Sequence, residues 1–232
     1  MTRSRPTLFK HQPTYHTNKM YSEHIPEAVD IFTQSFCDHE PMTHHLGISY
    51  AEFKVFARQV IEKAVQDQLS IVMLDGKKVV ALAVVEDIAH PFNLSEPISG
   101  KFMPIFELIS RMNEQYFAGK TFEKNQLAHL FITAVHKNYL GQGLSRKINN
   151  AAMDAACVRG FDFMCCDFSN AHNEQGTVKY ISNPIRKIGS TQFDEFFIGG
   201  FRPFANLIGA ANTYIWSLHP NVGLTHIANH GP

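Results

Sequence analysis

Two apolar runs, LAHLFITAV (127–135) and FDFMCCDF (161–168), enclose a stretch that opens with two glycines and continues as an amphipathic helix. No other feature limits the fold so much. Each run has the length and composition of a buried strand. Between them Leu144, Ile148, Ala152, Ala155 and Ala156 recur on one helical face, and Gly160 is a natural helix stop. Strand, helix and strand at this spacing form a crossover unit, so the two runs are expected to be locally parallel in one sheet.

The rest of the chain supplies helices first and strands around them. HIPEAVDIFTQSF (24–36) places Ala28, Phe32 and Phe36 on one face, with Pro26 suited to the first turn. This helix should end near Cys37, because Pro41 forbids a smooth continuation. Ser49 and Glu52 form a capping box ahead of the stripe Phe53, Phe56, Val60, Ile61 and Ala64. Strand-like runs flank Asp75-Gly76, a hairpin signal. A further helix is expected over about 104–117, a short one over NEQGTVKYIS (173–182), and two late strands over QFDEFFI (192–198) and NTYIWSLH (212–219). The expected class is α/β (α+β): one mixed central sheet with flanking helices, as a single domain over 14–232 after a loose leader over 1–13.

With 232 residues, 44% hydrophobic and 18% charged, the chain is long enough to bury a core. Twenty-one basic residues balance 21 acidic ones, which disfavours nucleic acid as a partner. No apolar run is long enough for a membrane span, and the start lacks the apolar segment of a secretory signal. Cys37, Cys157, Cys165 and Cys166 make no CxxC pair, and adjacent cysteines in a strand point apart. A reduced, cytoplasmic setting is expected.

Gly141 and Gly143 begin no Walker pattern, since G-x-x-x-x-G-K-[ST] is absent there. A dinucleotide fingerprint needs a third glycine where Arg146 stands, although Asp162 lies at about the distance of the acidic partner. A third possibility is a glycine turn whose backbone N–H groups, from about Leu140 to Ser145, point at a pyrophosphate on the helix N-terminus. On the glycines alone, a plain strand-to-helix turn competes with it.

The stretch Asn138-Tyr139-Leu140-Gly141-Gln142-Gly143 resembles the [QR]-x-x-G-x-[GA] signature of the GNAT superfamily of acyl-CoA-dependent N-acyltransferases. It departs at Asn138, and Leu140 stands where a basic residue is usual. Asn173 to Tyr180 resembles the family's N-x-x-A-x-x-x-Y, with Gly176 in place of alanine. Asp38-His39-Glu40-Pro41-Met42 is similar to the D-E-P-L region of arylalkylamine-type and insect dopamine acetyltransferases, with one residue inserted between the acids. The resemblance spans roughly 14–219 and implies a GNAT-like sheet and acetyl-CoA as co-substrate; no metal is expected. It implies phosphate contacts at Leu140, Gly141, Gln142, Gly143, Leu144 and Ser145, and pantetheine contacts at Thr133, Ala134, Val135 and Asn173. It further implies Glu40 as catalytic base and Tyr180 as proton donor to the leaving thiolate.

These roles fit the chemistry. An ammonium must lose a proton before its nitrogen attacks, and a carboxylate can accept it. The oxyanion would meet backbone amides at the end of the strand closing at Val135. Zinc is rejected for His39, His44 and His45: an HExxH helix needs histidine at Thr43, and Pro41 breaks the helix. Cys165 and Cys166, in an apolar strand, read as small hydrophobes. The expected function is acetyl transfer from acetyl-CoA to a small amine, with an aromatic one in view, by direct attack in a ternary complex. A catalytically silent CoA-binding sensor and a protein N-acetyltransferase are the alternatives. The aromatic residues Phe201, Phe204, Tyr214 and Trp216 are candidates for the acceptor pocket or for the core.

Overall fold

A computed structural model describes residues 14–224, so the expected leader over 1–13 lies outside the described residues. The elements run β1 (Tyr15–Lys19), α1 (Ile25–His39), α2 (Pro41–His45), α3 (Tyr50–Asp67), β2 (Ile71–Asp75), β3 (Lys78–Asp87), α4 (Met103–Phe117), β4 (Leu127–Val135), α5 (Leu144–Val158), β5 (Phe163–Phe168), α6 (Ala171–Val178), β6 (Ile185–Gln192) and β7 (Ala210–Ser217). The strands form one mixed sheet in the order β1-β2-β3-β4-β5-β7-β6.

Alternation along β2 and β3 feeds two cores, because successive side chains point to opposite faces. Val72, Leu74, Leu82 and Val84 pack under α1 and α3 with Phe32, Phe53 and Val60. Ile71, Met73, Ala81 and Ala83 pack on the other face, against the α5 stripe of Leu144, Ile148, Ala152 and Ala156. The Ser49–Glu52 capping box forms as expected, with both reciprocal bonds present. The hairpin turns at Asp75-Gly76, with Gly76 at φ +61°.

The crossover expected from the two apolar runs is present, and β4 and β5 are parallel. Their pairing covers only Leu127, Ala128 and His129 against Phe163, Met164 and Cys165. Beyond that rung β4 stays paired to β3 as far as Val135, while β5 stays paired to β7 as far as Phe168. The two strands therefore part, and the sheet opens as a wedge.

Two expected elements are corrected. QFDEFFI is not a strand. Phe193 and Phe196 are both buried in one cluster with Leu108, Met112 and Phe204, and a three-residue spacing on one face suits a turn rather than a two-residue alternation. The strand lies just upstream, in the polar sequence IRKIGSTQ. The short helix begins earlier than expected, at Ala171, and ends at Val178, so Tyr180 lies past its end.

Candidate active site

Pro41 builds one wall. A residue before proline is pushed out of the α region, and Glu40 sits at φ −82°, ψ 120°. That break ends α1 and makes Glu40 the N-cap of α2. Its Oε2 accepts from the Thr43 N–H at 2.6 Å and its Oε1 from the Met42 N–H at 3.2 Å. The cap is worth about 1 kcal/mol. It also holds the carboxylate in one place, half-buried and facing the wedge beside Ser35, Phe36 and His39.

The glycine loop builds the opposite wall. Gly141 and Gly143 have φ of +75° and +68°, where a Cβ is strained, and nothing lies within 4 Å of the Cβ position at either. Gly143 is the N-cap of α5 and no side chain caps the helix, so its first-turn N–H groups are open to an anion. The loop is pinned from outside. The Tyr15 hydroxyl on β1 donates to Gln142 Oε1 at 2.5 Å, and the Tyr15 ring meets that of Tyr139 edge-on at 6.2 Å. Gln142 thus turns its side chain toward β1, while Leu140, Gly141, Gly143, Leu144 and Ser145 line the cleft.

Between the walls lies the wedge itself, a cleft of about 390 Å³. Past Leu130, β4 has no partner strand on its β5 side, so alternate backbone N–H and C=O groups there face the cleft. Thr133 and Val135 line it. Ala134 points the other way, into the core under α1, which leaves only its backbone as a possible contact. The Thr133 hydroxyl donates to Asn149 Oδ1 at 2.6 Å, and the Asn149 amide donates to the Thr177 hydroxyl at 3.3 Å. This chain ties β4, α5 and α6 together at the cleft floor. Asn173, in the first turn of α6, lines the cleft with Ser169 and His172.

Tyr180 is not brought to this lining. It is 49% exposed, past the end of α6, with the Arg146 guanidinium 4.4 Å from its ring centre. The donor role expected for its hydroxyl has no geometric support. The late aromatics are also absent from the lining: Phe204 and Trp216 are core, Phe201 is exposed, and the Tyr214 hydroxyl donates to Glu174. Burial pushes the Cys165 and Cys166 thiols well above their ordinary range, with the nearby Asp167 charge adding to it, so neither is a thiolate nucleophile.

Sequence reasoning missed a buried network at the apex of the wedge. His129 Nδ1 is 2.8 Å from Glu86 Oε1 on β3, and Nε2 is 3.2 Å from Asp167 Oδ2 on β5. Burial alone would lower the imidazole pKa. The hydrogen bonds to Asp167 and Glu86, with their charges, outweigh it and push the group up to about 10. Asp167 also accepts from the Thr213 hydroxyl at 2.5 Å and the Asn113 amide at 3.3 Å. The signal available in sequence was a histidine inside an apolar strand with an acid at each neighbouring strand end.

No protein-family model matches the sequence, and no curated protein matches it either. Solved structures do match. The C-terminal condensation domain of Ebony, in complex with beta-alanyl-dopamine, superposes with a TM-score of 0.80 at 16% identity, over 89% of this chain and 100% of that one. The chain has the GNAT fold. Arylalkylamine N-acetyltransferase 2 from Aedes aegypti matches with a TM-score of 0.72 at 15% identity, over 88% of this chain and 99% of that one. The Drosophila melanogaster polyamine N-acetyltransferase matches with 0.69 at 13% identity, over 88% and 100%. The mixed sheet with flanking helices and the GNAT resemblance expected from the sequence are both borne out by these structures.

Proposed function

We propose that the protein is an acetyl-CoA-dependent N-acetyltransferase that acts on a small amine. One observation carries this: the parted strands β4 and β5 place an uncapped glycine-loop helix N-terminus and the Glu40 carboxylate around a single cleft. The open amides of α5 suit a pyrophosphate, and the open edge of β4 suits the amides of a pantetheine arm. The residues present fit CoA, which supplies the thioester.

In the proposed reaction Glu40 takes a proton from the acceptor ammonium, directly or through water. The free amine attacks the thioester carbonyl, forming the C–N bond and a tetrahedral oxyanion held by backbone N–H groups of β4. The C–S bond then breaks, the nitrogen gives up its second proton, and the departing thiolate takes up that proton, directly or through water, so that the amide and CoA leave neutral at these atoms. Phe36, Phe131 and Phe168 in the lining favour an aromatic acceptor. The four cysteines are free, which fits a reducing cytoplasm, and no described helix is long and apolar enough to cross a membrane.

The likeness to the ribosomal-protein-S18-alanine N-acetyltransferase of Escherichia coli is looser, with a TM-score of 0.52, which supports a small amine over a protein acceptor. A second reading keeps the chemistry and changes the acyl group: the Ebony domain, with the higher TM-score, holds a beta-alanyl amide, so an aminoacyl thioester is the alternative donor. The test is direct. Acetyl-CoA should raise the melting temperature where NADH and ATP do not, and thiol release across a panel of amines should identify the acceptor. No shift with any CoA ester overturns the proposal. A shift without thiol release leaves a CoA-binding sensor.

A further inference from the structure

His129 stands on the last paired rung of β4 and β5, opposite Cys165, where the cleft begins. Both ring nitrogens face carboxylates, Glu86 behind and Asp167 in front. A neutral imidazole has one N–H and cannot donate to both. A neutral ring here would also leave two buried carboxylates uncompensated. The ring is therefore an imidazolium, and the three groups together hold one net negative charge.

Only Asp167 of the three reaches the cleft lining. The Thr213 hydroxyl occupies its Oδ1, and the His129 imidazolium and the Asn113 amide occupy its Oδ2. A carboxylate offers about four acceptor directions, so one on Asp167 remains without a protein partner. Among the described residues that line the cleft, Glu40 and Asp167 are the acids, and lysine and arginine are absent. The apex of the wedge thus carries one net negative charge shared by Glu86, His129 and Asp167, and no lysine or arginine lines the cleft to offset it.

We propose that Asp167 receives the acceptor amine as its ammonium cation, and that His129 and Glu86 are positioning residues that hold Asp167 at the apex. The cleft then selects amines that are charged at the working pH over amines of the same shape that are neutral. Glu40, on the wall built at the α1–α2 break, removes the proton after the cation has been captured. This inference rests on the transferase reading and names the acceptor class for it.

The experiment compares 2-phenylethylamine, a cation at pH 7, with O-benzylhydroxylamine, which has the same ring and is neutral there. Asp167→Asn should raise KM for the cationic amine about tenfold or more, a loss of one charge contact. KM for the neutral amine and Kd for acetyl-CoA should stay unchanged. Glu86→Gln, which touches nothing in the cleft, should shift the same preference in the same direction by reducing the net charge behind Asp167. Equal changes for both amines in either variant overturn the proposal. Nitrogen-15 NMR of the wild-type protein should show both His129 ring nitrogens protonated at pH 8, and a neutral ring overturns the positioning role without any variant. If the wild type transfers to neither amine, the transferase reading fails separately. Calorimetric binding of the two amines then still tests whether Asp167→Asn weakens the cation alone.

Discussion

Gly143→Ala separates a phosphate cradle from a mere turn. Gly143 sits at φ +68°, so an L side chain there costs roughly 1–2 kcal/mol. For a chain of this size that lowers Tm by roughly 2–8 °C. The added methyl meets no protein atom within 4 Å, so its second effect falls only on a ligand seated against the first-turn amides of α5. Losing one charge-assisted hydrogen bond there is worth about 1.5–3 kcal/mol, or roughly 10- to 150-fold in Kd. Gly160→Ala is the matched control. Gly160 lies beyond the other end of the same helix, also in open space and at φ +86°, so it should lose similar stability and leave CoA affinity intact. Isothermal titration with acetyl-CoA reads the difference. Equal affinities for the two variants would refute the cradle.

Glu40→Gln should cut kcat by about 10²- to 10⁴-fold with acetyl-CoA binding intact, as expected for loss of a general base; steady-state kinetics with thiol detection checks it. Glu40→Ala adds loss of the α2 cap and should cost about 1 kcal/mol more in a urea titration. The His129 pKa is raised in the folded state, so its contribution to stability is complete below about pH 6.5 and is lost as pH rises through about 10. Urea midpoints across that range should therefore fall, and fall less steeply in Glu86→Gln. Cys165 and Cys166, buried and held as thiols, should resist iodoacetamide at pH 8 in the folded protein, while half-buried Cys157 labels first; mass spectrometry with and without urea decides.

What was legible in sequence followed from periodicity and turn chemistry. The α5 stripe, the Ser49–Glu52 box, Asp75-Gly76 and the parallel unit each state their conformation locally, and all four formed. The chain break at Glu40 was also legible, because the constraint Pro41 places on it is a local one. What failed depended on distant partners. The strand Ile185–Gln192 is a polar edge strand, and its Gly189 is needed because a Cβ there would lie 2.7 Å from Met112 of α4. Nothing local announces that approach. Phe193 and Phe196 mimicked a strand because their burial is imposed by α4 and Phe204. Tyr180 was placed by counting along a motif, and the helix stopped at Val178 before reaching it. The His129 network joins residues from β3, β4 and β5, and a single strand pattern cannot display a charge balance shared by all of them.

The contact between Tyr15 and Gln142 has a consequence for how the loop comes into being. The two residues are 127 positions apart, and Tyr15 reaches the loop only once β1 has joined the sheet edge beside β2. The segment from β4 to β5 can close its own crossover early, with local contacts, yet its glycine loop acquires its outer support from the other end of the chain. Excised as a fragment, that segment would keep the motif and lose the clasp. In the folding order implied by this topology, the outer clasp on the glycine loop is among the last contacts to form.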